Sequence, residues 1–152
     1  MRKTAAVVAV LAMAACGSDS SGPPAGGVPS ELAGTWVADV GCVPQCGFTF
    51  RSVANPADSL NITSSLAIST EVHLAQGGSF HMISAAGGSV QGTARAQGNM
   101  LIVQGGGQAD TLDYVLSGGR LQLDFRGTYS TFDLTGDGVV DPARLRGTFV
   151  KR

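Results

Sequence analysis

The longest glycine-free stretch of the chain, Phe48–Gln76, sets its large apolar residues on alternate positions. Leu60, Ile62, Leu66, Ile68, Val72 and Leu74 are all even-numbered, and Asn61, Thr63, Ser65, Ser69, Glu71 and His73 stand between them. A period of two over this length is the pattern of a strand with one buried face, and it rules out an amphipathic helix here. At ~3.3 Å per residue one unbroken strand would be very long, so a bend or break is expected near Thr63–Ser65.

Elsewhere glycine punctuates the chain. Its 22 glycines fall singly and in short runs without the period of three that a collagen helix requires. Read as a two-residue turn, Gly118-Gly119 sets Leu116 opposite Leu121, Tyr114 opposite Leu123 and Leu112 opposite Phe125. One register thus brings every large apolar residue of both strands to one face. A three-residue loop at Gly77-Gly78 pairs Leu74 with Phe80 and Val72 with Met82. Around Gln97-Gly98-Asn99 the same reasoning pairs Ala96 with Met100 and Ala94 with Ile102. Strands are expected near 34–40, 47–53, 60–75, 79–85, 89–96, 100–104, 111–117, 120–126, 129–134 and 144–150. The fold class is therefore all-β: an up-and-down antiparallel meander of about 8–10 strands, closed into a barrel so that no sheet edge stays exposed.

The chain opens with Arg2 and Lys3 before an apolar run ending in small residues, which reads as an export signal over residues 1–15. Met13-Ala14-Ala15-Cys16 resembles the lipobox of bacterial lipoproteins, and that resemblance implies that Cys16 is acylated and anchors the chain to a membrane. The other reading is an ordinary secretory signal with a chance cysteine. Gly17 after the anchor favours passage to the outer membrane, facing the periplasm. Residues 16–30, rich in Gly, Ser and Pro, read as a flexible tether, and residues 31–152 as the folded domain. About 120 residues suffice for one modest core.

Leu32-Ala33-Gly34-Thr35-Trp36 resembles the Gly-x-Trp opening of the lipocalins and their bacterial lipoprotein relatives. With it go Phe48-Thr49-Phe50-Arg51-Ser52-Val53-Ala54-Asn55-Pro56-Ala57, Tyr114-Val115-Leu116-Ser117-Gly118 and Phe132-Asp133-Leu134-Thr135-Gly136-Asp137-Gly138. Together these look like lipocalin-like lipoproteins of bacterial envelopes. The resemblance implies a lipocalin-like barrel whose interior takes a small apolar molecule. It also implies that Trp36 lies near the barrel floor beneath a basic side chain of the last strand, so Trp36 is expected to meet Phe149 or Arg152. Cys42 and Cys46 depart from the family pattern.

Those two cysteines sit in Gly41-Cys42-Val43-Pro44-Gln45-Cys46-Gly47, and in an exported chain they are expected to form a disulfide. The competing readings are a free thiol pair or two metal ligands. Asp133, Thr135, Asp137, Val139 and Asp141 match oxygen-donating positions of an EF-hand-type calcium loop, but Arg144 stands where the bidentate carboxylate belongs. Weak calcium binding at best, or a plain hairpin loop turned by Asp and Gly, is expected there; no other cofactor is implied. His73 and His81 face each other with Glu71 beside them, a set able to bind zinc or copper but lying opposite the apolar face and so read as solvated exterior. Asp113 and Asp124 also pair across strands, at a cost unless a neighbour such as Arg126 compensates.

Ten basic residues against eleven acidic ones give a net charge of −1, with no basic face for nucleic acid. No Gly-x-Ser-x-Gly elbow, partnered cysteine nucleophile or phosphate-binding loop occurs, so the chain is not expected to be an enzyme. The expectation is a monomeric, lipid-anchored envelope protein whose barrel binds a small apolar ligand or lipid. The alternative is a structural or inhibitory interaction module with a filled barrel. Gly92, Ala94, Ala96 and Gly147, small and inward, either leave a cavity or seat Phe80, Met82, Met100 and Phe149.

Overall fold

The computed structural model describes residues 26–39, 47–63, 70–84 and 88–152. The expected signal, the acylated Cys16 and the Cys42–Cys46 bridge lie outside the described residues. Among the described residues the chain forms β1 (Gly34–Ala38), β2 (Gly47–Ser52), β3 (Ser59–Asn61), β4 (Thr70–Leu74), β5 (Ser79–Ser84) and β6 (Ser89–Gln97). There follow β7 (Met100–Gly105), β8 (Gln108–Ser117), β9 (Arg120–Phe125), β10 (Tyr129–Phe132) and β11 (Asp141–Lys151).

β1, β4, β5, β6, β7, β8, β9 and β11 pair antiparallel in that order, and β11 returns to β1. The result is the closed eight-stranded barrel that the hairpin pattern predicts, with no open edge in the ring. β11 is the longest strand and serves two neighbours along each edge. On one edge it pairs with β1 and then β2, on the other with β9 and then β10. β3 pairs with β2 and lengthens the same wall.

The long alternating segment does break, but two residues before the expected Thr63–Ser65: β3 ends at Asn61, and Ile62 and Thr63 turn helical, against the strand read over 60–75. β3 joins β2, while β4 lies between β1 and β5. Two pieces rather than one strand explain why eleven strands replace the ten expected. The Gly118-Gly119 hairpin forms in the expected register, with Leu112 opposite Phe125, Tyr114 opposite Leu123 and Leu116 opposite Leu121. Both glycines have positive φ, 57° and 75°, which suits a two-residue turn matched to strand twist. The Gly77-Gly78 hairpin also pairs as read, Leu74 with Phe80 and Val72 with Met82.

The hairpin at residue 98 corrects its expected register by one position. Gln97 pairs with Met100, so only Gly98 and Asn99 make the turn, and Ala96 faces Leu101 while Ala94 faces Val103. A one-residue slip moves a whole strand to its other face. Leu101, not Met100, is therefore the buried residue, at 1% exposure.

A core of Trp36, Leu74, Leu101, Leu112, Leu121 and Phe149 fills the end of the barrel at which the Gly77-Gly78, Gly98-Asn99 and Gly118-Gly119 turns lie. The segment before β1 closes that end. Leu32 and Ala33 amides both donate to the Pro29 carbonyl, and this turn pushes Leu32, fully buried, against the core. Trp36 Nε1 donates to the Leu32 carbonyl at 2.8 Å, so the indole satisfies its only polar atom while burying its rings. The Val28 amide donates to the Gln76 carbonyl and the Ala96 amide to the Gly27 carbonyl. With Val28 buried as well, barrel contacts begin before residue 31, inside the segment read as tether.

Candidate functional site

Towards the other end the core gives way to a cavity of about 410 Å³. Its deep wall is apolar, formed by inward residues such as Val72, Leu101, Val103, Leu112 and Leu123. Nearer the mouth the lining turns polar, with Thr70, Ser84, Ser89, Gln108, Asp110 and Tyr129. The mouth lies where β5 and β6, β7 and β8, and β10 and β11 are joined, opposite the end plugged by Leu32.

Strand alternation puts Gln108 and Asp110 inside. β8 presents Leu112, Tyr114 and Leu116 inward, and the same parity carries up the strand to Asp110 and Gln108. Tyr129 and Phe132 reach the cavity from β10, and both rings pack on Phe50 of β2, at 5.8 and 5.0 Å between centroids. Burial, with the Asp110 charge adding to it, pushes the Tyr129 hydroxyl up to about 12. Tyr129 is thus a neutral hydroxyl at physiological pH.

The small inward residues do two jobs. A Cβ on Gly147 would stand 2.6 Å from Phe149 Cε2 and 3.1 Å from Phe48 Cε1, so this glycine seats two rings against the floor. At Gly92 a Cβ would stand 1.7 Å from the Gln104 carbonyl oxygen, so that glycine lets β6 and β7 approach closely. Neither glycine accounts for the cavity, which opens above them.

Barrel closure brings Trp36 and Phe149 into one core, as expected, but the cation over the indole is Lys151 and not Arg152. Lys151 Nζ lies 5.2 Å from the ring centroid, and Trp36 and Lys151 are cross-strand partners on the same face. Arg152 is one residue further and therefore belongs to the outer face, where it binds Glu71 at 2.8 Å.

The Glu71, His73 and His81 set occupies that outer face. The two imidazoles stack with centroids 5.8 Å apart, His73 Nδ1 shares a hydrogen bond with Thr35 Oγ1 at 3.0 Å, and Nε2 lies 3.4 Å from Glu71. Both His73 nitrogens are therefore engaged by protein. Among the described residues no group of three His, Cys, Asp or Glu side chains is disposed to hold a metal ion. The Asp113–Asp124 pair also faces outward, and each carboxylate has its own guanidinium: Arg126 on Asp113 and Arg146 on Asp124. The Arg126 hydrogen bonds hold the Asp113 carboxyl below the ordinary carboxylate value.

In the loop after β10 the carboxylates face the loop's own amides. Asp133 accepts from the Gly136 and Gly138 amides at 2.6 and 2.8 Å, and Asp141 from the Leu134 and Thr135 amides at 2.7 and 3.1 Å. Asp137 accepts from the Val139 amide, and Thr135 Oγ1 donates to Asp141. Amide donation, from Gly138 above all, holds the Asp133 carboxyl low. These are the bonds of a carboxylate-turned hairpin loop, and a calcium ion would have to displace them. Arg144, at the position where calcium needs a carboxylate, is exposed and stands opposite Arg51 in the β2–β11 register.

Sequence reasoning missed Asp110, Gln108, Tyr129, Phe50 and Phe132 as cavity residues. The signal was present for two of them: extending the parity of Leu112 and Tyr114 upstream of residue 111 places Asp110 and Gln108 inside. A scan against protein-family models finds no match for this chain, and searches of curated proteins and of solved structures find none either.

Proposed function

We propose that the protein is a non-enzymatic, lipid-anchored binding protein of the bacterial cell envelope, with a lipocalin-like barrel that holds a small apolar ligand. The single observation that carries this reading is the cavity of about 410 Å³, apolar in its depth and polar at its mouth. Small-molecule sites have this construction, with volumes of roughly 300–1,000 Å³ and a few polar groups that orient the ligand. A closed floor and an accessible mouth suit capture and release from one end. An interaction module with a filled barrel would have no use for that space.

The anchor rests on Met13-Ala14-Ala15-Cys16, and the outer-membrane, periplasm-facing location on Gly17 after it. A monomer suits this reading, since among the described residues each of the eight ring strands is paired on both sides and only the short β3 and β10 have a single partner strand. Native mass spectrometry of the detergent-extracted protein tests the binding role. A discrete small-molecule adduct is expected, and it should disappear in Val103→Trp, which fills the cavity. Ligand-free protein in every preparation would count against the role. For the anchor, Cys16→Ser should move the protein from the membrane pellet to the soluble fraction, and retention in the pellet would refute it.

A further inference from the structure

The chemistry of the cavity mouth narrows the ligand class, and this step rests on the binding role just proposed. Asp110 is the one charged residue in the cavity lining among the described residues. Its carboxylate has no cationic partner among them: the ion pairs of the barrel wall all lie on other aspartates and on Glu71. Lys151, which shares the face of Trp36, belongs to the floor, where it covers the indole and takes no part in the lining. The cavity therefore presents one negative charge and no positive one.

The same cavity holds aromatic rings, and the Asp110 charge is felt at the hydroxyl of one of them, Tyr129. Tyr129, Phe50 and Phe132 form one contact cluster, and all three line the same cavity as Asp110. Ring faces carry negative potential and attract cations, most strongly where water is excluded. A lone carboxylate beside aromatic faces, above an apolar shaft, is complementary to a positively charged head on an apolar tail. The same arrangement disfavours a fatty-acid carboxylate, which would meet Asp110 with no guanidinium or ammonium to receive it.

We infer that the barrel binds amphipathic organic cations, with an alkylammonium head at Asp110 beside the Tyr129, Phe50 and Phe132 cluster and the apolar tail directed toward Leu101 and Leu123. The polar ring of Thr70, Ser84, Ser89 and Gln108 completes the mouth around the head. Tyr129 Oη, held neutral, adds no competing charge.

Calorimetric titration of the full-length Cys16→Ser chain, which needs no detergent, tests this with three probes of equal tail length: decyltrimethylammonium and decanoate below their micellar concentrations and decanol below its solubility limit. Decyltrimethylammonium should bind at least tenfold more tightly than decanoate, with decanol between them. Asp110→Asn should shrink the ammonium-to-decanoate ratio to less than threefold, with decanol affinity changing less than that of either ion. Tyr129→Leu should weaken the ammonium more than decanol. Decanoate binding as tightly as the ammonium overturns the inference while leaving the apolar-ligand role standing. So does a ratio that ignores Asp110→Asn. If none of the three binds, both the inference and the role fall. The comparison of the three probes on the Cys16→Ser chain holds by itself should either cavity variant fail to fold.

Discussion

Replacing Gly147 by Ala adds one methyl group at the most crowded point of the barrel floor. The new Cβ would lie 2.6 Å from Phe149 Cε2, 3.0 Å from Phe149 Cζ and 3.1 Å from Phe48 Cε1. Phe149 is fully buried and Phe48 nearly so, and the two rings already pack edge to face at 5.3 Å, so neither has free space to enter. Forcing a methyl into such packing costs ~1–3 kcal/mol. Against this, alanine stiffens the unfolded chain, which returns ~0.4–1 kcal/mol. The balance is a loss of ~1–2 kcal/mol, which for a domain of this size lowers Tm by about 3–10 °C. Thermal unfolding followed by circular dichroism reads the shift. Repeating the substitution in Phe149→Leu should show a smaller loss, with a coupling of ~0.5 kcal/mol or more, because the clashing ring is gone. Gly77→Ala has the opposite expectation. That site has nothing within 4 Å of a new Cβ and no positive φ, so a gain of ~0.4–1 kcal/mol should follow. A Gly147→Ala protein as stable as its parent, or an equal loss with and without the Phe149 ring, would refute the packing argument.

Three further outcomes can be measured. The Asp113 carboxyl is held low by Arg126, so the folded state binds fewer protons there than the unfolded state. Its contribution to stability is present above pH ~4 and is lost as pH falls through the folded value, and Arg126→Gln should raise the Asp113 titration midpoint seen by NMR. Calcium at 100 μM should leave Tm unchanged within a degree, because a site of millimolar affinity contributes less than ~0.1 kcal/mol at that concentration; a clear rise would contradict the self-bonded loop. Lys151→Ala should shift Trp36 emission and cost ~0.5–1 kcal/mol, while Arg152→Ala should leave the emission in place, since it reaches Glu71 instead.

The barrel was legible because its information is local. Alternation at Leu112, Tyr114 and Leu116 and the Gly118-Gly119 turn define both the strands and their pairing, and the structure keeps all three predicted pairs. The Gly98 hairpin shows the limit of that reasoning. Loops of two and three residues both place small residues opposite large ones there, and the choice was settled by burial of Leu101 in the barrel core, which a strand pair alone does not express. Lys151 and Arg152 differ only in parity, and that parity followed from where β11 meets β1. The cavity was harder still. Asp110 and Tyr129 sit on strands that do not pair with each other: β9 lies between β8 and β11, and β10 joins β11 beyond the end of β9, so no hairpin spacing in the chain announces their meeting.

The central claim is that the barrel interior is a usable binding space, and fluorescence titration with the neutral apolar dye N-phenyl-1-naphthylamine tests it most directly. The Cys16→Ser chain should give a saturable rise in emission with one dye per protein. Val103→Trp, confirmed as folded by circular dichroism, should abolish the rise, because the new indole occupies the space beside Leu101 and Leu123. Emission that fails to saturate, or that is equal in the Val103→Trp protein, would contradict the account.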